Sequence, residues 1–394
     1  MFQRTRHFAP TFRAWDPADA RMAITEIATD AMSHVNATTL WPSHPMDEGV
    51  RDGHGSVYFG AAGVVWVLDY LSRVHAITDE LDLAPLVTKA LERNAPWFAT
   101  TAYAQHASLL MGELGILMVQ MRVAPDQGLA NEIYTLLALN SELPIVELMW
   151  GLPGCMLACI HMHTMTKDHR FIELFQLQAA RLLDNLEMDD NGPIWTQDLY
   201  GRQQRWLGPV HGFAGNMLPL LHGWDWLDPK QRVIVGDAVP RTLGAHAVSS
   251  DEGANWPAIV PSNQPPALCQ HCHGAPGMVT TFADAPFSTP DFEALLLRGG
   301  ELTWKAGPVV KGSNLCHGTG GNGYAFLKLH KRTGDPVWLE RARAFSMAAI
   351  DQVRGGRAAF GRGRYSLWTG DAGLAVYLWQ CIIGEPQFPI VDIL

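Results

Sequence analysis

The chain has 394 residues, 47% hydrophobic and 17% charged, a balance that excludes a disordered polymer and supplies core enough for one large domain. Acidic side chains outnumber basic ones 39 to 29, for a formal charge of −10, and no long block of Lys or Arg occurs, which argues against a nucleic-acid or anionic-membrane surface. With no uncharged apolar stretch of about 18 residues and no signal-like segment in MFQRTRHFAPTFRAWDPADA, a soluble cytoplasmic protein is expected, its six cysteines reduced or metal-bound rather than paired in a disulfide framework.

Along the chain a Gly-x-x-Gly followed by an apolar run recurs seven times: Gly60 to Gly63, Gly112 to Gly115, Gly151 to Gly154, Gly212 to Gly215, Gly274 to Gly277, Gly318 to Gly321 and Gly370 to Gly373. A loose but persistent period of this size marks stacked supersecondary units. Each run is apolar on nearly every face, as a helix surrounded by protein must be. Between the runs lie helical patterns with one polar face, for instance 168–186 and those opening at Asp16-Pro17, Asp228-Pro229 and Asp335-Pro336. Asp-Pro supplies a side-chain acceptor at the N-cap and a preset φ at the first helical position. Seven such pairs without a convincing strand pattern predict an all-α chain: an α/α toroid of about seven inner and seven outer helices, a single domain over 1–394. Uneven repeat lengths and the lack of polar capping repeats favour closure over an open solenoid. The motif glycines would permit positive φ or close backbone approach. The turn-rich stretches 187–209 and 248–268 read as longer connections.

The residue before each first glycine is Phe59, Met111, Trp150, His211, His273, His317 and Thr369 in turn. Two of the histidine repeats add a cysteine one place earlier, giving Cys272-His273-Gly274 and Cys316-His317-Gly318. Equivalent repeats would bring these side chains to one level of the ring, converging on one mouth. Two thiolates and one imidazole suit zinc and leave a fourth tetrahedral position open, as catalytic sites do. The alternative is that both cysteines are buried core thiols, the reading that fits Cys155, Cys159 and Cys381 inside apolar helical runs. His161, His163 and His169 read as a solvated turn at the end of a helix. The glycines of 318–323 lack the Lys-Ser/Thr of a phosphate loop. No aspartate joins the motif-level ligands, as a zinc prenyltransferase would need, and no paired carboxylates stand there, as a toroidal glycosidase would need.

With the seven repeats, His211-Gly-x-Ala-Gly, Cys272-His-Gly-Ala-Pro-Gly and Cys316-His-Gly-x-x-Gly-Asn-Gly-Tyr, most of the chain resembles the lanthionine cyclase (LanC-like) family. The resemblance implies an α/α toroid with a zinc ion on Cys272, Cys316 and His317, and a proton-moving role for His211. It places Glu147 where peptide cyclases carry an aspartate, four residues before the third motif, and His271 where a tryptophan is usual. CHGAPG with His273 in place of Tyr, Lys311 upstream of Cys316 and the ending Phe388-Pro389 after Ser366-Leu367 look more like the stand-alone eukaryotic-type branch. That branch implies glutathione as a partner, with Arg4, Lys311 and an arginine near Arg362 or Arg364, taken as Arg364, in contact with it. The implied reaction adds a thiol, from glutathione or a peptide cysteine, to dehydroalanine or dehydrobutyrine in a peptide or protein. A peptide-cyclising enzyme and a non-catalytic zinc-stabilised scaffold share the same motifs.

Overall fold

The computed structural model describes residues 1–47, 49–78, 82–142 and 145–394, among which are fourteen α-helices. Seven begin at the Gly-x-x-Gly motifs: α2 (Ala61–Arg73), α4 (Glu113–Val123), α6 (Leu152–Thr166), α8 (Phe213–His222), α10 (Ala275–Phe282), α12 (Thr319–Thr333) and α14 (Asp371–Ile383). Each packs on the next and α14 packs on α2, so the inner ring closes. The outer layer is α1 (Pro17–Ser33), α3 (Ala84–Phe98), α5 (Gln127–Asn140), α7 (Arg170–Asp184), α9 (Pro229–His246), α11 (Pro290–Ala306) and α13 (Pro336–Phe360). This is the closed α/α toroid expected from the repeats. No helix among the described residues is long and apolar enough to cross a membrane.

The Asp-Pro starts act as expected. Asp16 accepts the N–H groups of Ala18 and Asp19, Asp335 that of Val337, and Asp228 forms a reciprocal capping box with Gln231, each satisfying donors that the first helical turn leaves unpaired.

The motif glycines work by close approach rather than by positive φ. A Cβ on Gly277 would fall on the carbonyl oxygen of His271, and one on Gly321 on that of Leu315; every second glycine of the seven meets the carbonyl six residues back. The loop thus curls over the helix start at hard contact. Of the seven first glycines only Gly274, at φ 112°, needs the left-handed half of φ space.

Two findings differ from the sequence reading. The connections 187–209 and 248–268 carry short strands, β1 (Gln197–Leu199), β2 (Arg202–Trp206), β3 (Val248–Ser250), β4 (Gly253–Asn255) and β5 (Ile259–Val260). They form an antiparallel β1-β2-β5 sheet and a β3-β4 hairpin. Their polar sequences show no alternation, and the β1-β2 pairing is set by Tyr200 and Gly201, both at positive φ, 56° and 72°, the requirement of a tight two-residue hairpin turn. His161, assigned to a solvated turn, is instead buried inside α6, its Nε2 2.9 Å from the Ile390 oxygen. It faces a part of the chain that local periodicity cannot reveal.

Candidate metal centre

The loops entering the inner helices are stitched together at one register. Cys272 N–H donates to the Cys316 oxygen at 2.9 Å, Cys316 N–H to Trp368 at 2.8 Å, Trp368 N–H to Tyr58 at 3.2 Å and Tyr58 N–H to Leu110 at 2.9 Å. All five residues stand two places before a first glycine. Cysteines at this register in adjacent repeats therefore become neighbours. Cys272, Cys316 and His317 each offer one donor atom, all within 4.8 Å of one another.

Both cysteine sulfurs of the cluster accept a hydrogen bond. Tyr58 Oη donates to Cys316 Sγ at 2.8 Å, and Gln270 Nε2 donates to Cys272 Sγ at 3.0 Å. The hydrogen bond from Cys272 holds the Cys316 thiol well below its ordinary range, with help from His317 and Tyr58. The same bond, together with burial, pushes Cys272 up. The Cys316–His317 step is held by the Asn314 side chain, whose Oδ1 accepts the His317 N–H at 3.0 Å. Tetrahedral zinc, with bonds of about 2.0–2.3 Å, needs two sulfurs and an imidazole nitrogen at this proximity, so the donor set and its spacing fit the ion.

His211 and Glu147 meet beside this cluster. His211 Nδ1 lies 2.8 Å from Glu147 Oε2, and the other carboxylate oxygen accepts the Trp150 N–H. The His273 ring feels both His211 and Cys316, and burial draws it down to about 4. Tyr200, at the tip of the β1-β2 hairpin, closes the His211 side. Its ring stands edge-on to His211 at 5.6 Å, and its hydroxyl accepts from Trp150 Nε1 at 2.9 Å.

The basic residues divide. Lys311 and Arg364 line one cavity of about 60 Å³ with His44, Arg357, Arg362 and Asp371. Arg364 Nε is 2.8 Å from Asp47 Oδ1, a pair with both side chains largely buried, so its guanidinium is already engaged. Among the described residues Lys311 has no acidic partner, and its charge acts on Cys272. Arg4 stands apart from the cavity, donating to the carbonyls of Lys305 and Ala306 at the end of α11 at 3.1 and 3.3 Å. Its segment runs beside the stretch leading to Lys311, with Val310 N–H donating to the Arg6 oxygen at 2.9 Å.

Sequence reasoning missed Tyr58, Gln270 and Asp47. Tyr58 had a usable signal, since it occupies the register of Cys272 and Cys316 in the first repeat; Asp47, 317 residues from Arg364, had none.

The chain has relatives among known proteins. "LanC-like protein GCL1" of Arabidopsis thaliana is 34% identical over 198 residues, 48% of this chain and 44% of that protein. "Glutathione S-transferase LANCL1" of Danio rerio is 36% identical over 261 residues, 63% of this chain and 62% of that protein. The chain thus spans less than two thirds of the length of either relative. The solved structure of nisin cyclase superposes with a TM-score of 0.63 at 12% identity, over 94% of this chain and 98% of that one, a likeness of fold. Residues 51–393 match the family described as lanthionine synthetase C-like protein, and the chain belongs to that family.

Proposed function

We propose that this protein adds the thiol of glutathione to dehydroalanine or dehydrobutyrine residues, forming a thioether. The observation that carries the reading is the Cys272, Cys316 and His317 cluster at the ring mouth with the His211–Glu147 pair beside it. Zinc on these three ligands would hold an incoming third sulfur as thiolate near neutral pH. Bound thiolates and imidazole would leave the fourth position to that sulfur, and Tyr58 and Gln270 hold the two cysteine sulfurs in place.

The chain's other residues handle the proton and the donor. As the sulfur bonds to the β-carbon, the π pair of the Cα=Cβ bond moves onto the α-carbon and its carbonyl. His211 Nε2 takes the thiol proton and returns it to the α-carbon, so nothing else is consumed. Glu147 fixes the imidazole by accepting Nδ1–H. Glutathione carries two carboxylates, and an acidic protein needs a local cation to attract it. Lys311 is that cation, Arg364 stands on the same cavity wall, and Arg4 would have to leave its two carbonyl partners to join them. The name of the Danio rerio relative supports glutathione as the donor.

The test is a dehydroalanine peptide without cysteine, incubated with glutathione and protein purified without added metal. A mass increase of one glutathione and about one zinc per chain are expected. A folded, active, zinc-free protein would refute the ligand assignment, and ring closure of a cysteine-containing peptide with no use of glutathione would make the protein a peptide cyclase.

A further inference from the structure

We infer that residues 388–392 form a post inside the ring that fixes Cys272 in its metal-binding position, with Phe388 and Asp392 as positioning residues. The inference rests on reading Cys272, Cys316 and His317 as a zinc site.

The link runs through His271, the residue before Cys272. The Phe388 ring, 1% exposed, stacks on the His271 ring at 4.6 Å and 16°. It also meets Tyr324 at 4.6 Å and Trp368 at 5.3 Å. The main chain of His271 is wedged between inner helices: its carbonyl occupies the place a Cβ on Gly277 of α10 would need, and its Cβ lies 3.1 Å from where one on Gly321 of α12 would fall. Helices hold the backbone from two sides, and Phe388 holds the ring from a third. Cys272 follows at once, inside a tight turn in which Gln270 and His273 exchange main-chain hydrogen bonds at 3.1 and 3.0 Å.

The post is itself anchored. Asp392 Oδ2 accepts the Phe388 N–H at 2.6 Å while Asp392 N–H donates to the Phe388 oxygen at 2.8 Å, closing the turn. The same carboxylate pairs with Lys328 Nζ of α12 at 2.7 Å and with His222 Nε2 of α8 at 3.3 Å. Ile390 is tied to His161 of α6. Three inner helices thus grip five residues. Lys328 is 2% exposed and also pairs with Asp284. Buried ion pairs contribute little net stability once desolvation is counted; what they can supply is a single geometry. Lys328 thus stands as a buried cation between the Asp284 and Asp392 carboxylates.

The experiment compares the full-length wild type with Phe388→Leu, which keeps an apolar side chain but loses the flat ring, and Asp392→Asn, which loses the charge. Zinc affinity is measured by competition with a chromogenic chelator, and coordination geometry by the visible spectrum of the cobalt-substituted protein. About tenfold weaker zinc binding and altered cobalt d–d bands are expected in both. Variants that melt earlier yet bind zinc with unchanged affinity and spectrum would reduce the segment to a space filler and overturn the inference alone. A wild type that takes up no zinc overturns this inference and the functional reading together. Should Phe388→Leu fail to fold, Asp392→Asn decides the matter.

Discussion

Glu147 Oε2 lies 2.8 Å from His211 Nδ1, joining two successive repeats across the ring mouth. The carboxylate is fully buried and its other oxygen is held by the Trp150 main chain, so it cannot swing away to solvent. A carboxylate at Nδ1 selects the tautomer with hydrogen there and leaves Nε2 its lone pair. His211→Ala should therefore slow thiol addition by about 10²-fold while zinc stays bound. Glu147→Gln, whose amide can donate to Nδ1 and stabilise the opposite tautomer, should slow the reaction by about tenfold or more with little change in glutathione KM. Single-turnover rates with metal analysis on the same samples check both. Loss of zinc with His211→Ala would make that residue a ligand, and an unaltered rate with Glu147→Gln would leave Glu147 a structural clasp.

Tyr58 offers a test of the metal site from outside its ligand set. Its hydroxyl donates to Cys316 Sγ and is almost fully buried, so Tyr58→Phe deletes one hydrogen bond and keeps the ring. Outer partners of metal ligands typically account for 10–100-fold in affinity or activity. Zinc should bind about tenfold more weakly, by chelator competition, without change in the circular dichroism of the helices. Unchanged affinity would show that this hydrogen bond does nothing for the metal.

Much of the ring was legible because its rule is local. Each Gly-x-x-Gly start admits a carbonyl from six residues back, and that clasp fixes the register that makes Cys272 and Cys316 neighbours. Such a contact also carries a stability prediction. Gly277→Ala drives a methyl group into the His271 carbonyl, and overpacking of this kind costs about 1–3 kcal/mol; urea unfolding should show a lower midpoint, and an unchanged one would mean the loop yields freely.

What stayed hidden depends on partners distant in sequence. Arg364 was expected to contact the thiol donor, but its engagement by Asp47 could not be foreseen, because nothing periodic relates the two. His161 looked solvated in HMHTMT until Ile390 came to cover it. The β1-β2 hairpin has polar strands whose pairing follows from backbone turn geometry at Tyr200 and Gly201, which hydrophobic pattern does not encode.

Asp371 gives the fold a pH signature. Burial raises its carboxyl to about 6, despite the hydrogen bond from the Arg364 N–H at 2.9 Å and the charge of Arg364. In the unfolded chain an aspartate titrates at about 3.9. The folded protein therefore holds this proton more tightly, and the contribution to stability is complete below about 4 and lost as pH rises through about 6. Asp371→Asn keeps an acceptor oxygen and removes the titration. The melting temperature of the wild type relative to this variant should fall between pH 4 and pH 7. A difference independent of pH would show that Asp371 ionises as it does in water.

Lys311 decides between glutathione and a peptide cysteine as the thiol. Of the three basic residues assigned to the donor, Arg364 is paired with Asp47 and Arg4 with two backbone carbonyls, so either must exchange an existing partner for a carboxylate. Lys311 has none to give up among the described residues, and it acts on Cys272 from the cavity wall. An interaction made equally in ground and transition states shows in KM and spares kcat. Lys311→Ala should accordingly raise the glutathione KM by about tenfold, the scale of one charge-assisted hydrogen bond, and change kcat far less. The matching control is a dehydroalanine peptide carrying its own cysteine, whose ring closure needs no carboxylate anchor. If Lys311→Ala slows that closure as much as it slows glutathione addition, the lysine serves the acceptor or the fold, and the donor assignment fails.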